Sequence, residues 1–468
     1  MALDDLAFES AVELAAAIRS RKVSPLDVTQ AALDRIKRHN PRLNALVTVP
    51  EGAALCAAAK AEEAVMHSDK LGPLHGVPLH VKDNLYVADS RTTFGSKLFE
   101  QNVTAEDCPA VARLRAAGMI LVGRSNTPEF GWKGVTDNRV FGATRNPWNP
   151  ELTSGGSSGG AAAAVAAGLG PIGLGTDGGG SLRIPASFCG VVGFQASFGR
   201  VPNWPGSGGA MLRHIGAITR TVGDQAAVLD VMAGPDALDL LSLPTTGLSY
   251  ASQLDRGIRG KRIAYSPDLG YGRVDPEVAT VCRRAAERFA ETGAHVESID
   301  LDWRDPYDTW SVFFFGTAAA SMEQKLAAQG DLLDPGFRRV VERGLKLRGV
   351  DFANALGARH DFWERVRRVY ERFDLLLCPT LPVPPFAVGQ DDANPIGGEN
   401  LGPLQWTRFT YPFNLTGQPA ASVPAGWTKS GLPVGLQIIG DRHADLAVLQ
   451  AARAWEQVQP WSERRPVL

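Results

Sequence analysis

Gly155-Gly156-Ser157-Ser158-Gly159-Gly160 and, after a run of alanine and glycine, Gly175-Thr176-Asp177-Gly178-Gly179-Gly180-Ser181-Leu182-Arg183-Ile184-Pro185 stand out from the rest of this chain. Between Leu152 and Gly199 only Asp177 and Arg183 are charged, although 21% of the whole sequence is. So uncharged a stretch reads as buried rather than as an exposed loop. In such surroundings Asp177 and Arg183 are expected to form a mutually compensating ion pair that holds the glycine loop between them.

Two familiar motifs occur here, and neither fits its context. Gly173 to Gly178 matches G-x-G-x-x-G, but no acidic residue lies between Gly178 and Gly223 to meet a ribose, and Gly178-Gly179-Gly180 would break the helix that the motif must open. Gly155 to Gly159 matches G-x-S-x-G. Thr153-Ser154-Gly155-Gly156 is a poor strand, however, and His443 is the one histidine beyond His360 to serve as a late partner.

A third combination accounts for more residues. Val77-Pro78-Leu79-His80-Val81-Lys82 alternates like a strand from Leu79 onward, so Lys82 ends an apolar run and is a candidate for burial. A lysine deprived of water loses its proton more easily and can act as a base toward a serine hydroxyl. The glycines before Ser181 let backbone N–H groups converge, as stabilisation of an oxyanion requires. Ser157, in its own glycine-rich turn, could relay a proton between Lys82 and Ser181.

These segments resemble the amidase signature family. Further matches are Val81-Lys82-Asp83-Asn84, Gly123-Arg124-Ser125-Asn126-Thr127-Pro128-Glu129-Phe130, Asn146-Pro147-Trp148, Pro412-Phe413-Asn414-Leu415-Thr416-Gly417-Gln418-Pro419 and Gly431 to Gln437. The resemblance implies hydrolysis of a carboxylic amide, with anilides, esters or carbamates as further substrates, through a serine acyl-enzyme. In that scheme Ser181 is the nucleophile, Ser157 (after a cis peptide) the bridge and Lys82 the base. Gly178, Gly179 and Gly180 supply oxyanion donors, Gly131 a main-chain substrate contact, and Asp177, Arg183 and Ser158 support them. The resemblance calls for no cofactor or metal. Two departures stand out: Gly178 where relatives carry a bulkier residue, and Gly193-Phe194-Gln195-Ala196 in place of Gly-x-Lys-Pro, which puts local rigidity in question. An alternative is the glutaminase-type subunit of a tRNA-dependent amidotransferase, which would act only with partners. A silent binding protein is disfavoured because all three reactive positions are intact.

The implied fold is α/β, a single α/β/α domain with a large mixed sheet surrounded by helices. It comprises N-terminal helices (1–65), a signature core (70–225) and a variable part (226–468) that overrides the two or three domains suggested by 468 residues. The element pattern agrees. Ser24-Pro25 opens a helix with Val28, Ala31, Ala32 and Ile36 on its buried stripe, and Asn40-Pro41 is expected to end it. Residues 109–117 read as a helix and Met119–Gly123 as a strand. Strands at Arg262–Tyr265, Val296–Ile299, Leu375–Leu377 and Val434–Ile439 alternate with helices at Pro276–Glu291, over much of 304–372, and from about Asp445 to Val458.

Composition sets the remaining limits. With 48 basic and 50 acidic residues, net charge −2, the chain has no basic excess for nucleic acid or an anionic membrane. Met1–Phe8, with Asp4 and Asp5, does not read as a signal peptide, and no apolar run is long enough to span a bilayer. Five scattered cysteines suit a reducing compartment, so the cytoplasm is expected, and Cys189 and Cys378 read as packed thiols. The expected partner is a small-molecule amide; a homodimer is left open. Pocket walls are expected from 200–214, 304–360 and 386–411, with Trp204, Trp310, Phe313–Phe315 and Trp406 as candidates.

Overall fold

The two serine-bearing stretches meet at the carboxyl ends of neighbouring strands in the computed structural model, which describes residues 6–67, 70–206 and 211–468. Residues 1–5 of the N-terminal reading and 207–210 of the expected 200–214 wall lie outside the described residues. An eleven-stranded mixed sheet runs Leu46–Thr48, Ile120–Ser125, Pro78–Lys82, Ile172–Asp177, His214–Thr219, Val192–Gln195, Ala420–Trp427, Pro433–Gly440, Leu375–Pro379, Arg262–Tyr265 and His295–Ser298. The lysine strand, Pro78–Lys82, lies parallel to both neighbours, with Val81 opposite Leu174. Lys82 therefore ends its strand beside Thr176 and Asp177. Ligand sites of α/β sheets gather at such carboxyl ends. His214 pairs with Asp177 in the antiparallel strand, which delivers Leu212 and Arg213 to the same place.

Helices cover both faces. Gly159–Ala166 and Arg183–Cys189 pack with Pro25–Leu43 and Glu51–Met66 on one side. Pro109–Ala116, Val222–Met232, Pro276–Phe289 and Asp445–Val458 cover the other. A third aromatic cluster, built on Tyr307–Gln329 and Pro335–Gly344, stands over the site. No helix among the described residues is long and apolar enough to cross a membrane.

The uncharged segment is buried almost throughout. Gly159–Ala166 is a helix buried on every side, so it has no amphipathic stripe to read. The strands Val192–Gln195, His214–Thr219 and Ala420–Trp427 are not legible from periodicity for a related reason: small residues and glycine line them. A Cβ on Gly216 would come within 2.5 Å of Phe194 O, and Pro424 sits at a register shift. The expected stop at Asn40-Pro41 is corrected. The helix continues to Leu43 and ends on Asn44 in the left-handed conformation. Asn40 instead uses its side chain to bond Ala45 N, Leu46 N and Leu46 O, fastening the helix end to the first strand.

Close approach of the Gly159–Ala166 helix to the sheet depends on Gly160, where a Cβ would lie 2.3 Å from Asn126 N and 2.5 Å from Ala45 O. Those two atoms are themselves hydrogen-bonded at 2.9 Å. Gly160→Ala should gain about 1 kcal/mol in helix propensity but lose about 1–3 kcal/mol to overpacking. Thermal unfolding is expected to show a lower midpoint, against the helix-propensity trend.

Candidate active site

Lys82 is fully buried, and its ammonium position is surrounded by hydroxyls. Nζ lies 2.7 Å from Ser157 Oγ, 3.0 Å from Ser158 Oγ and 3.1 Å from Thr176 Oγ1. No carboxylate among the described residues forms an ion pair with it. Burial, reinforced by the positive charge of Arg213, pushes the amine well below its ordinary value of 10.5; Asp177 opposes this only in part. The Ser158 hydroxyl donates to Thr176 O at 3.1 Å, so toward Lys82 it can only accept. Asn84 Nδ2 donates to Thr176 Oγ1.

Ser157 follows a cis peptide at Gly156. Its loop is joined to the second serine loop by a hydrogen bond from Ser158 N to Ser181 O. Ser157 and Ser181 line one cavity of about 370 Å³, although no hydrogen bond links their hydroxyls. Lys82 and Ser157 are thus in contact, and Ser181 lines the same cavity as Ser157. Gly131 backs onto the same point. A Cβ there would lie 3.0 Å from Ser157 Oγ, and with its N–H given to Pro128 O only its carbonyl is left for a substrate.

The glycine loop is held from outside. Asp177 and Arg183 are both fully buried and paired at 3.0 Å. Burial would raise the Asp177 pKa, but the charge and hydrogen bonds of Arg183, helped by Asn414, outweigh it and hold the carboxyl well below its usual range. Arg183 also donates to Thr410 O, Gln437 Oε1 and Asn414 Oδ1. Trp310 Nε1 donates to Gly178 O and Thr410 Oγ1 to Gly179 O, which fixes both peptide planes. One expectation changes as a result: Gly180 N donates to Asp177 Oδ1 at 2.6 Å, so it is not a free oxyanion donor. The amides of Gly178, Gly179 and Ser181 have no intramolecular acceptor among the described residues. A Cβ at Gly178 would meet nothing within 4 Å, so the missing side chain enlarges the cavity. Gln195, at the other departure, is buried and donates to Phe413 O and Gln418 O, tying its strand to the Asn414 segment. Cys189 and Cys378 are buried thiols, with Cys378 pushed up to about 12 by burial.

Apolar and aromatic side chains form much of the rest of the cavity wall. Trp310 and Phe314 stack at 4.6 Å and line it as expected. Trp204, Phe313, Phe315 and Trp406 do not line it: Trp204 packs edge-on against Tyr86, and Trp406 stacks on Phe188. Sequence reasoning missed Phe94 and Phe130; Phe337 and Arg213 also line the cavity and fall within the expected wall segments 304–360 and 200–214, though not among the named candidates, and the three phenylalanine rings pack in series. Phe130 and Asn84 fall within the family motifs, a signal that could have found them; within their expected segments nothing local singles out Phe337 or Arg213.

Comparison with known proteins shows the family. The family model Amidase matches residues 27–449. An acylamidase of Rhodococcus erythropolis is 39% identical over 100% of this chain and 98% of its own. A subunit of the glutamyl-tRNA(Gln) amidotransferase of Thermosynechococcus vestitus is 35% identical over 95% of this chain and 97% of its own. A bacterial aryl acylamidase of the amidase signature enzymes superposes with a TM-score of 0.92 at 34% identity, covering 98% of this chain and 99% of that one.

The buried charges generate two expectations. Asp177→Asn or Arg183→Met alone should destabilise by about 3–5 kcal/mol, and the double variant by less than the two losses together, as measured by denaturant unfolding. For Lys82 the folded pKa lies below the unfolded value, so between them the unfolded chain binds the extra proton and this residue's contribution to stability rises with pH. The unfolding midpoint of Lys82→Met, compared with wild type, should therefore show its largest relative gain on the acid side and lose it as pH approaches 10.5.

Proposed function

We propose, for a chain that belongs to the amidase signature family and hydrolyses carboxylic amides, a serine acyl-enzyme mechanism carried by Lys82, Ser157 and Ser181. The observation that carries it is the buried Lys82 amine, bonded to hydroxyls alone and 2.7 Å from Ser157 Oγ. A neutral amine offers two N–H donors and one lone pair. With N–H groups directed at Ser158 and Thr176, the lone pair faces Ser157, the shortest of the three contacts.

On substrate binding, Ser181 Oγ turns toward Ser157 and attacks the carbonyl carbon. Its proton passes to Ser157 Oγ, while the Ser157 proton passes to Lys82. Catalytic hydrogen bonds of this kind commonly tighten only in the substrate complex. Negative charge developing on the carbonyl oxygen meets the free amides of the glycine loop. The new lysine proton returns through Ser157 to the leaving nitrogen as the C–N bond breaks, leaving the acyl group on Ser181 and releasing the amine. Water then repeats the sequence, yielding a carboxylate and free Ser181.

The aromatic walls and the open space beside Gly178 favour an anilide or other amide with an apolar or aryl part, in keeping with the aryl acylamidase that superposes on this chain. We also assign the whole chain to one amidase unit, supported by a single sheet that takes strands from Leu46 to Gly440. The five free thiols suit the reducing cytoplasm as its compartment. The similarity to the glutamyl-tRNA(Gln) amidotransferase subunit keeps a partner-dependent glutaminase as the second reading. Turnover of 4-nitroacetanilide by the purified lone chain would count against it.

Ser181→Ala should abolish anilide turnover while leaving the far-ultraviolet circular dichroism intact; retained turnover would refute the nucleophile. Lys82→Ala should lose about 10³-fold in kcat/KM. Because the neutral amine is the active form, wild-type kcat/KM should fall as pH drops through the depressed Lys82 pKa. Lys82→Ala should lack that acid limb.

A further inference from the structure

Several buried cations in this protein are matched by carboxylates, though Lys82 and Arg220 are not, among the described residues. Arg124 faces Asp83, Arg183 faces Asp177, Lys133 faces Asp137 and Asp391, and Arg408 faces Asp305 and Glu399. Arg213 lines the catalytic cavity and has no carboxylate partner among the described residues. Among the described residues its hydrogen bonds are long ones to carbonyls, Nη1 to Pro205 O at 3.4 Å and Nη2 to Asn84 O at 3.5 Å. The chain just before it, Ser207-Gly208-Gly209-Ala210, contains no acid. Arg213 is half-buried, and a partly desolvated guanidinium without a counter-charge gains from an arriving anion, its planar fork suiting a carboxylate.

We propose that Arg213 anchors a carboxylate on the substrate, so that the preferred amide pairs an aromatic or apolar portion with one anionic group. This rests on the amidase reading above. The placement is fixed by the fold. Arg213 immediately precedes the strand His214–Thr219, whose first residue is opposite Asp177, so the guanidinium stands beside the glycine loop. Phe94, Phe130, Trp310 and Phe314 line the same cavity and supply the apolar surface, while Lys133, the other lysine or arginine on the wall, is already paired. The charge of Arg213 also disfavours protonation of Lys82, so its removal would slow every substrate to some degree. Only an anchoring role makes the loss selective for acids.

The test uses matched pairs that differ by a carboxylate for a methyl group. On the acyl side these are succinic acid mono-4-nitroanilide and butyric acid 4-nitroanilide; on the amine side, 4-acetamidobenzoate and 4-methylacetanilide. Binding is measured by calorimetry on Ser181→Ala, which holds ligand without depending on turnover. At least one acid should bind about tenfold or more tighter than its neutral partner. Arg213→Gln in the same background should abolish that preference, and Arg213→Lys should weaken it. Absence of preference on both sides overturns the proposal, as does a preference that survives Arg213→Gln. Should Arg213→Gln fail to fold, an undiminished preference in Arg213→Lys overturns it instead. Wild-type turnover of the neutral anilides, scored separately, reports on the amidase reading itself.

Discussion

A lysine amine shut away from water is the constraint on which the rest of this structure depends. Water would keep it protonated, and a carboxylate in contact would hold the proton more tightly still. The fold denies it both. Strands on either side bury the stem, and Ser157, Ser158 and Thr176 occupy its polar directions. Asp177 is the nearby carboxylate that could spoil the arrangement, and its charge is taken up by Arg183 and Asn414. The Asp177–Arg183 pair thereby does two things: it shapes the glycine loop, and it keeps a carboxylate from capturing the lysine amine.

The same pair explains why distant parts of the chain converge on the site. Arg183 lies in the first turn of a short helix, but its hydrogen bonds reach Thr410, Asn414 and Gln437. A buried guanidinium needs several acceptors, and no local stretch supplies them all. The segments around Asn414 and Gln437 therefore form part of the active-site scaffold, although neither lines the cavity.

Legibility from sequence follows physical locality. Lys82, Ser157, Ser181, Asp177 and Arg183 are readable because glycine, serine and isolated charges in an apolar run are locally unusual. The alternation leading to Lys82 and the cap at Ser24 mark elements for the same reason. What cannot be read depends on tertiary contact. Gly180 looks equivalent to Gly178 and Gly179 until Asp177 takes its amide. Trp406 looks like a wall residue until Phe188 and Phe386 enclose it. Arg213 is one of many arginines until the fold leaves it facing a cavity without a counter-ion.

Pocket shape and chemistry are coupled in this protein rather than separable. Trp310 belongs to the helix that forms one cavity wall, yet its indole N–H fixes the Gly178 carbonyl. That bond sets the plane of the Gly178–Gly179 peptide and hence the direction of the Gly179 amide. Phe314 and Tyr411 hold the indole between them at 4.6 and 5.0 Å, and Tyr411 is bonded in turn to Asp305, the partner of Arg408. A substrate that displaces Phe314 would move the indole and with it the oxyanion donors. A change of acyl group should therefore register in the rate of bond breaking as well as in binding, because interactions that strengthen only in the transition state are those that govern kcat. In the proposed mechanism, substrate choice would thus be exerted through the oxyanion donors and not only through the room available beside them.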